Sequence, residues 1–377
     1  MDYRSEFSDF GSVTYLDVAT QGPLPRAASQ AMRQAMEWKQ QPQKMPEGLH
    51  FDLPDRVRER VARLVGAKAS EVAITTGAST GLAAIASGID WKPDDEVLIA
   101  EGEFPANFAT FAPLAEGGRL RVRTVRARER FLRAEDFREA IGPRTRLVTT
   151  SLVRFQDATR IDAALLADAC HRAGALLALD VSQCVGAMPV DVKELGADFV
   201  VSSGYKWLLS PYATGFFWVR EDRIEQMLPA PFYWTALPQS HAPDSLGEPG
   251  LYRPEPGSRR WDSPETASLN LVGMEASLEF LLRAGVESIW RHNCRLIDQL
   301  LGQLPADRCL PASPADPRFR GPFVCVAARS PEKTSALYQR LRESELFVSL
   351  RAKAIRISPH LYNNAGDIDR LAAALTI

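Results

Sequence analysis

The sequence has no apolar run near the roughly 18 residues needed to cross a bilayer. It has no excess of either charge. Its 45 Lys and Arg against 47 Asp and Glu leave a net charge of −2, which gives no electrostatic case for nucleic acid or an anionic membrane. Cysteine is scarce. Cys170, Cys184, Cys294, Cys309 and Cys325 are odd in number and lack C-x-x-C spacing, which argues against a disulfide framework or a zinc site. The first ten residues, MDYRSEFSDF, carry acids and lack the apolar stretch of a signal peptide. Internal repeats and low-complexity tails are also missing. The expectation left standing is a reduced, cytoplasmic enzyme with no metal.

The 377 residues suffice for two domains and a large core, with 45% apolar and 24% charged residues, as in an ordinary globular protein. Helices are predicted from Arg26 to about Lys39 and after Pro54, where Val57, Val61, Leu64 and Val65 recur at helical spacing. From Val72, strands alternate with helices. Strands are expected at Val72–Thr75, Val97–Ala100, Val122–Val125, Leu147–Ser151 and Ala175–Leu179, which points to an α/β domain with a mostly parallel sheet. Leu237–Pro264 is rich in Pro and Gly and has no apolar period, so it reads as a long functional or mobile loop. A long helix from about Ala267 and a second from Val286 lead into a small α+β unit. That unit holds strands Phe323–Ala327, Phe347–Leu350 and Ala354–Ile357 and a closing helix from Ala365.

The chain is organised around Ala197–Val219, where Lys206 lies between two buried runs, Phe199–Val201 and Gly215–Val219. An ammonium taken out of water without a partner is costly. Lys206 therefore either points outward at a turn or has its amine neutralised, and a neutral amine can form a Schiff base with an aldehyde. Ligands of open α/β sheets bind beyond the carboxyl ends of strands, and three such ends carry polar residues. Gly77-Ala78-Ser79-Thr80 lies between a strand and a helix; it is an ordinary capped turn or a phosphate site. Asp180 ends a buried strand, with Gln183 three residues on. It either caps the next turn or pairs with a protonated ring nitrogen. At about 4 Å and an effective dielectric near 20, that pairing is worth roughly 4 kcal/mol, or about three pKa units. Ser202-Ser203-Gly204-Tyr205-Lys206 sets hydroxyls beside the amine.

The ordered set of a glycine-bearing turn, Asp-x-x-Gln after a strand and Ser-Gly-aromatic-Lys resembles the class V aminotransferases. These are fold type I pyridoxal-phosphate enzymes that include cysteine desulfurases, selenocysteine lyases, kynureninase and isopenicillin N epimerase. The likeness runs from Tyr15-Leu16-Asp17 to Arg356–Asn363. It implies a large domain, 16–265, with a mostly parallel seven-stranded sheet, and a small domain from 1–15 and 266–377. Lys206 would be the Schiff-base lysine and proton shuttle, and Asp180 the partner of the pyridine nitrogen. Gln183 would bond the ring oxygen. Ala78 and Ser79 would bind the phosphate, with Ser203 and Tyr205 adding donors. Phe104 would cover the ring face where many relatives carry His, and Arg356 would grip the substrate carboxylate. Ser263 falls where relatives reach the phosphate from a neighbouring subunit, which implies a homodimer with shared active sites. Phe155 and Gln156 depart from the family pattern.

In this family the cofactor stabilises charge at Cα and the protein decides what leaves. Glu345–Ile355, before Arg356, contains no Cys. Cys325 and Cys184 read as core residues. The expectation is transamination or β-elimination of an amino acid without a persulfide cysteine. Epimerisation is the alternative; it needs a proton donor on the face opposite Lys206, which Phe104 cannot supply but a residue of the Leu237–Pro264 loop could. Thr76–Ala83 also resembles the TGxxxGxG turn of short-chain dehydrogenases, but that turn normally opens the chain, and no Tyr here has Lys four residues later. A cofactor-binding sensor would carry a DNA-binding segment, and the sequence offers none.

Overall fold

The computed structural model describes residues 3–228, 233–237, 254, 256–263, 268–330 and 332–376. Thirteen strands are present among them. β1 (Thr14–Tyr15) is followed by seven strands that form one sheet: β2 (Val72–Thr75), β3 (Glu96–Ala100), β4 (Arg121–Val125), β5 (Thr145–Ser151), β6 (Leu176–Asp180), β7 (Phe199–Ser203) and β8 (Gly215–Val219). Their order is β2-β8-β7-β6-β5-β3-β4, and only β8 runs against the rest. The fold is thus α/β with a mostly parallel seven-stranded sheet, as expected. Both faces of that sheet are covered. Val72, Ile74, Leu98, Val148, Leu177, Leu179 and Val200 pack on one side, and their alternates Ala73, Val97, Ile99, Leu147, Ala178, Phe199 and Val201 on the other. Strands buried on both faces lose the polar alternation of a half-exposed strand.

A smaller C-terminal domain holds β9 (Cys309–Pro311), β10 (Val324–Ala328), β11 (Leu346–Phe347), β12 (Ser349–Arg351) and β13 (Ala354–Ile357). Four of these make a sheet in the order β12-β13-β10-β9, with its own core around Leu296, Val326, Leu341, Ile355 and Leu371. The single strand expected at Phe347–Leu350 is divided. β11 pairs in parallel with β1 near the N-terminus, whereas β12 pairs with β13. The N-terminal strand therefore joins the C-terminal domain.

Other departures have local causes. The second helix runs Leu49–Val65, one turn earlier than expected, because Leu49 and Leu53 join Val57 and Val61 on the buried stripe and carry the helix through Pro54. The helix after β2 begins at Ala78, so the Gly77 turn is its N-terminus. Helix Ala134–Ala140 and strand β9 were not anticipated; both are too short to show a period. Most of the Leu237–Pro264 stretch, Arg253 included, lies outside the described residues. Arg259 and Arg260, which read as either substrate ligands or solvated charges, pair with Asp55 and Glu225.

The open edge of β2 is closed by the chain returning at Asp262–Ser263. Asp262 accepts the Ile74 N–H at 2.8 Å, and the Ser263 N–H donates to the Ile74 carbonyl at 2.9 Å. Asp262 is anchored by the buried Arg58 guanidinium at 2.7 Å, and Arg58 also donates to the Val72 carbonyl. Asp262→Ala leaves the buried Arg58 guanidinium with only the partly exposed Asp55 carboxylate at 3.4 Å, so it should cost about 3–5 kcal/mol in urea unfolding. A loss under about 1 kcal/mol would mean this anchor does not hold the edge.

Candidate active site

Lys206 does not point outward. It follows β7 at 7% exposure, and its ammonium has no hydrogen bond or ion pair with any described residue. Its Nζ lies 5.0 Å from the centroid of the Phe104 ring and 5.6 Å from that of Tyr205. Burial pulls its pKa down to about 8; Arg356 and Arg351 add to the shift, and Asp180 opposes it. With a pKa of about 8, roughly a tenth of the amine is neutral at pH 7, far more than for an ordinary lysine, and the neutral form is the one that attacks. The Lys206 loop is pinned from the N-terminal segment. The Gly22 N–H donates to the Tyr205 carbonyl at 2.8 Å, and a Cβ on Gly22 would lie 2.1 Å from the Lys206 carbonyl oxygen. Only glycine permits that approach.

Asp180 closes β6 and is 5% exposed. One carboxylate oxygen accepts the Ser182 N–H at 2.8 Å. Burial pushes its pKa up, against the Ser182 hydrogen bonds and the Lys206 charge. Attraction between Asp180 and Lys206 would move both groups the other way, and burial outweighs it at each. A cationic ring N–H set against Asp180 would relieve that penalty. Gln183 is buried, donating from Nε2 to the Ala19 carbonyl at 3.0 Å and accepting the Trp207 indole N–H at 3.1 Å. One amide N–H remains to give.

The third strand end gathers groups that could hold an anion. Gly77 has φ +155°, a conformation suited to glycine, and starts helix Ala78–Gly88. The Ala78 N–H donates to Ser203 Oγ at 3.2 Å, which brings β7 to the turn. The Ser79 N–H is among the donors a helix start leaves unpaired, at the positive end of the dipole. The Thr76 and Thr80 hydroxyls bond each other at 2.7 Å. Ser263, expected to reach into a neighbouring subunit, is engaged within its own chain: its Oγ accepts the Thr76 N–H at 3.1 Å.

Arg356, on β13, is 1% exposed. It donates to the Phe155 carbonyl at 3.1 Å and to Thr20 Oγ1 at 2.5 Å, with Asp17 at 3.6 Å. Its Nε is buried without a partner. Burial lowers its pKa, and Asp17 raises it. Phe104 is half-exposed and meets Phe155 edge-on at 5.5 Å. Phe155 thus contributes its ring to Phe104 and its carbonyl to Arg356. The Tyr205 ring packs on Tyr212 at 5.5 Å.

Two residues near the site were not singled out in the sequence. Glu103 is 5% exposed, and its carboxylate accepts the Thr150 hydroxyl at 3.0 Å, the Ser151 N–H at 2.8 Å and the Ser151 hydroxyl at 2.6 Å. It also accepts the Phe104 N–H at 2.8 Å, which ties the Phe104 loop to the end of β5. Arg351 shares a sheet face with Arg356 through the β12–β13 register and approaches Thr20 Oγ1 at 3.5 Å. The hairpin spacing of LRAKAIR was the available signal for it. No thiol near the site is activated. Burial raises Cys184 far above the ordinary thiol range and pushes Cys325, which donates to the Gln156 carbonyl at 3.2 Å, up to about 12.

Residues 14–371 match the profile of the Aminotransferase class-V family. Isopenicillin N epimerase of Streptomyces clavuligerus is 27% identical over 97% of this chain and 94% of its own length. A probable cysteine desulfurase of Methanothermobacter thermautotrophicus is 28% identical over 79% and 74%. Among solved structures, C-DES with glycine covalently linked to its PLP cofactor superposes with a TM-score of 0.87 at 22% identity, over 99% of this chain and 98% of that one. The short-chain dehydrogenase alternative falls with these matches. The buried amine, the carboxylate across from it and the Gly77 turn suit the aldehyde, ring nitrogen and phosphate of one cofactor. The chain belongs to the class-V aminotransferase family, whose cofactor is pyridoxal 5'-phosphate, and is an enzyme of the aminotransferase/lyase type.

Proposed function

We propose that this enzyme acts on an α-amino acid by one-base chemistry at Cα, completing either transamination or β-elimination without a protein persulfide. The observation that carries the reading is Lys206: a buried amine tuned to about 8, facing an aromatic ring that has no proton to give. Lys206 would hold the cofactor's aldehyde carbon and afterwards carry the proton at Cα. Asp180 would sit against the ring nitrogen, Gln183 would donate to the ring oxygen, and Ala78, Ser79 and Ser203 would hold the phosphate. Tyr205 would add a wall, and Ser263 would brace the turn through Thr76. When bound, the cofactor supplies the electron sink for charge developing at Cα. Arg356, with its unpaired Nε, would fix the substrate carboxylate so that the Cα proton faces Lys206.

The absence of a low-pKa thiol supports leaving the desulfurase persulfide out, since thiolate is the nucleophile. Epimerisation is the second reading, favoured by the 27% identity to an isopenicillin N epimerase along nearly the whole chain. It needs a donor on the face opposite Lys206, and Phe104 offers carbon only. A homodimer with shared sites fits the apolar rings left exposed, Tyr212 at 57%, Trp234 at 40% and Phe104 at 37%. Among the described residues no helix is long and apolar enough to cross a membrane, and all five cysteines are unpaired, in keeping with a cytoplasmic location.

Product analysis with a panel of amino acids tests the reading. Release of 2-oxo acid with stoichiometric ammonia is elimination; turnover that depends on an added 2-oxo acid is transamination. Accumulation of the D-isomer alone would replace both with epimerisation. Lys206→Ala should lose about 10²–10⁴-fold or more in turnover, whereas Cys184→Ala and Cys325→Ser should keep it. Loss of turnover from either cysteine variant would reinstate a persulfide route.

The Lys206 pKa also sets a pH profile. The attacking form is the neutral amine, so below about 8 the rate of cofactor uptake by the stripped protein should rise about tenfold per pH unit, then level off. Stopped-flow absorbance measures it. A flat profile between pH 6 and about 8 would show that the Lys206 amine is not what titrates.

A further inference from the structure

We propose that Trp207 is a positioning residue for the cofactor: its indole N–H locks the Gln183 side-chain amide in the one orientation that leaves an N–H free for the ring oxygen. The inference rests on the assignment of Gln183 to that oxygen. An amide can present either its oxygen or its nitrogen, and one rotation exchanges them. At Gln183 two fixed groups choose between them. Trp207 Nε1–H can only donate, and it meets Oε1 at 3.1 Å; the Ala19 carbonyl can only accept, and it meets Nε2 at 3.0 Å. With Oε1 engaged and one Nε2 hydrogen spent, a single donor remains. Rotating the amide would set its nitrogen against an N–H and its oxygen against a carbonyl.

Trp207 is itself held firmly enough to act this way. It is fully buried, stacked on Phe323 at 6.3 Å with a 22° interplanar angle, and packed against His360 at 5.7 Å. Phe323 and His360 flank β10 and β13, so the C-terminal domain grips the indole that follows Lys206 in the chain. Among the described buried indoles, those of Trp91 and Trp218 donate to the Ala86 carbonyl and to Glu71, whereas the Trp261 N–H has no partner.

A donor at the ring oxygen favours the form in which that oxygen carries unshared negative charge, so it lowers the pH at which the bound cofactor's absorbance band changes. In the cofactor-loaded protein, Trp207→Phe keeps a ring between Phe323 and His360 and removes the N–H together with part of the indole's volume. The absorbance midpoint should rise by about 0.5–1 pH unit, the size expected of one hydrogen bond. Gln183→Leu should raise it at least as far, and adding Trp207→Phe to Gln183→Leu should produce no further change. Trp207→Leu serves the same comparison if the phenyl variant does not fold. An unchanged midpoint in a folded Trp207 variant, or a Trp207 shift that persists in the Gln183→Leu background, overturns the proposal. If Gln183→Leu leaves the midpoint where it was, the assignment of Gln183 to the ring oxygen fails instead.

Discussion

Everything around the site answers to one cost, that of holding the Lys206 side chain in a buried setting with no hydrogen bond to its amine. An ammonium there is penalised, and the penalty appears as a pKa near 8 in place of the usual 10.5. The surroundings maintain that condition instead of relieving it. Arg356 and Arg351 add like charge, the Phe104 and Tyr205 rings offer only a weak cation–π attraction, and Asp180, whose charge would stabilise the ammonium, is itself held back by burial. A cofactor that consumes the amine and brings a cationic ring nitrogen to the carboxylate would remove both penalties together.

That environment is assembled from distant parts of the chain. The sheet delivers Asp180, Ser203 and the Gly77 turn at the same end of β6, β7 and β2, because all its strands but β8 point the same way. The N-terminal segment supplies Gly22 against the Lys206 carbonyl and Thr20 and Asp17 against Arg356. It reaches both because β1 pairs with β11 and Asp17 bridges to Ser358. Arg356 and Trp207 therefore connect the pocket to the C-terminal domain, one through its place on β13 and its bonds to Phe155 and Thr20, the other through packing on Phe323 and His360.

The strand–helix alternation was readable in the sequence because buried parallel strands are short apolar runs bounded by turns. Lys206, Asp180 and Gly77 stood out since each breaks such a run with a residue that costs free energy unless it has a task. Glu103 did not stand out: an acid in a loop beside an aromatic is ordinarily solvated, and nothing local shows that β5 will offer it three donors. Arg351 was missed for a similar reason, since its sharing a sheet face with Arg356 depends on a hairpin register. The Trp207–Gln183 bond joins residues 24 apart whose elements meet only through the sheet. The division of Phe347–Leu350 into two strands also depends on partners far away in sequence.

The central claim is that one buried amine, and no other, carries the coenzyme. Borohydride reduction of the coenzyme-loaded protein followed by peptide mass mapping tests it most directly. The account predicts a single coenzyme-modified peptide with the label on Lys206, and no label in the Lys206→Ala protein. Label on another lysine, or none at all on wild-type protein saturated with pyridoxal 5'-phosphate, would contradict it.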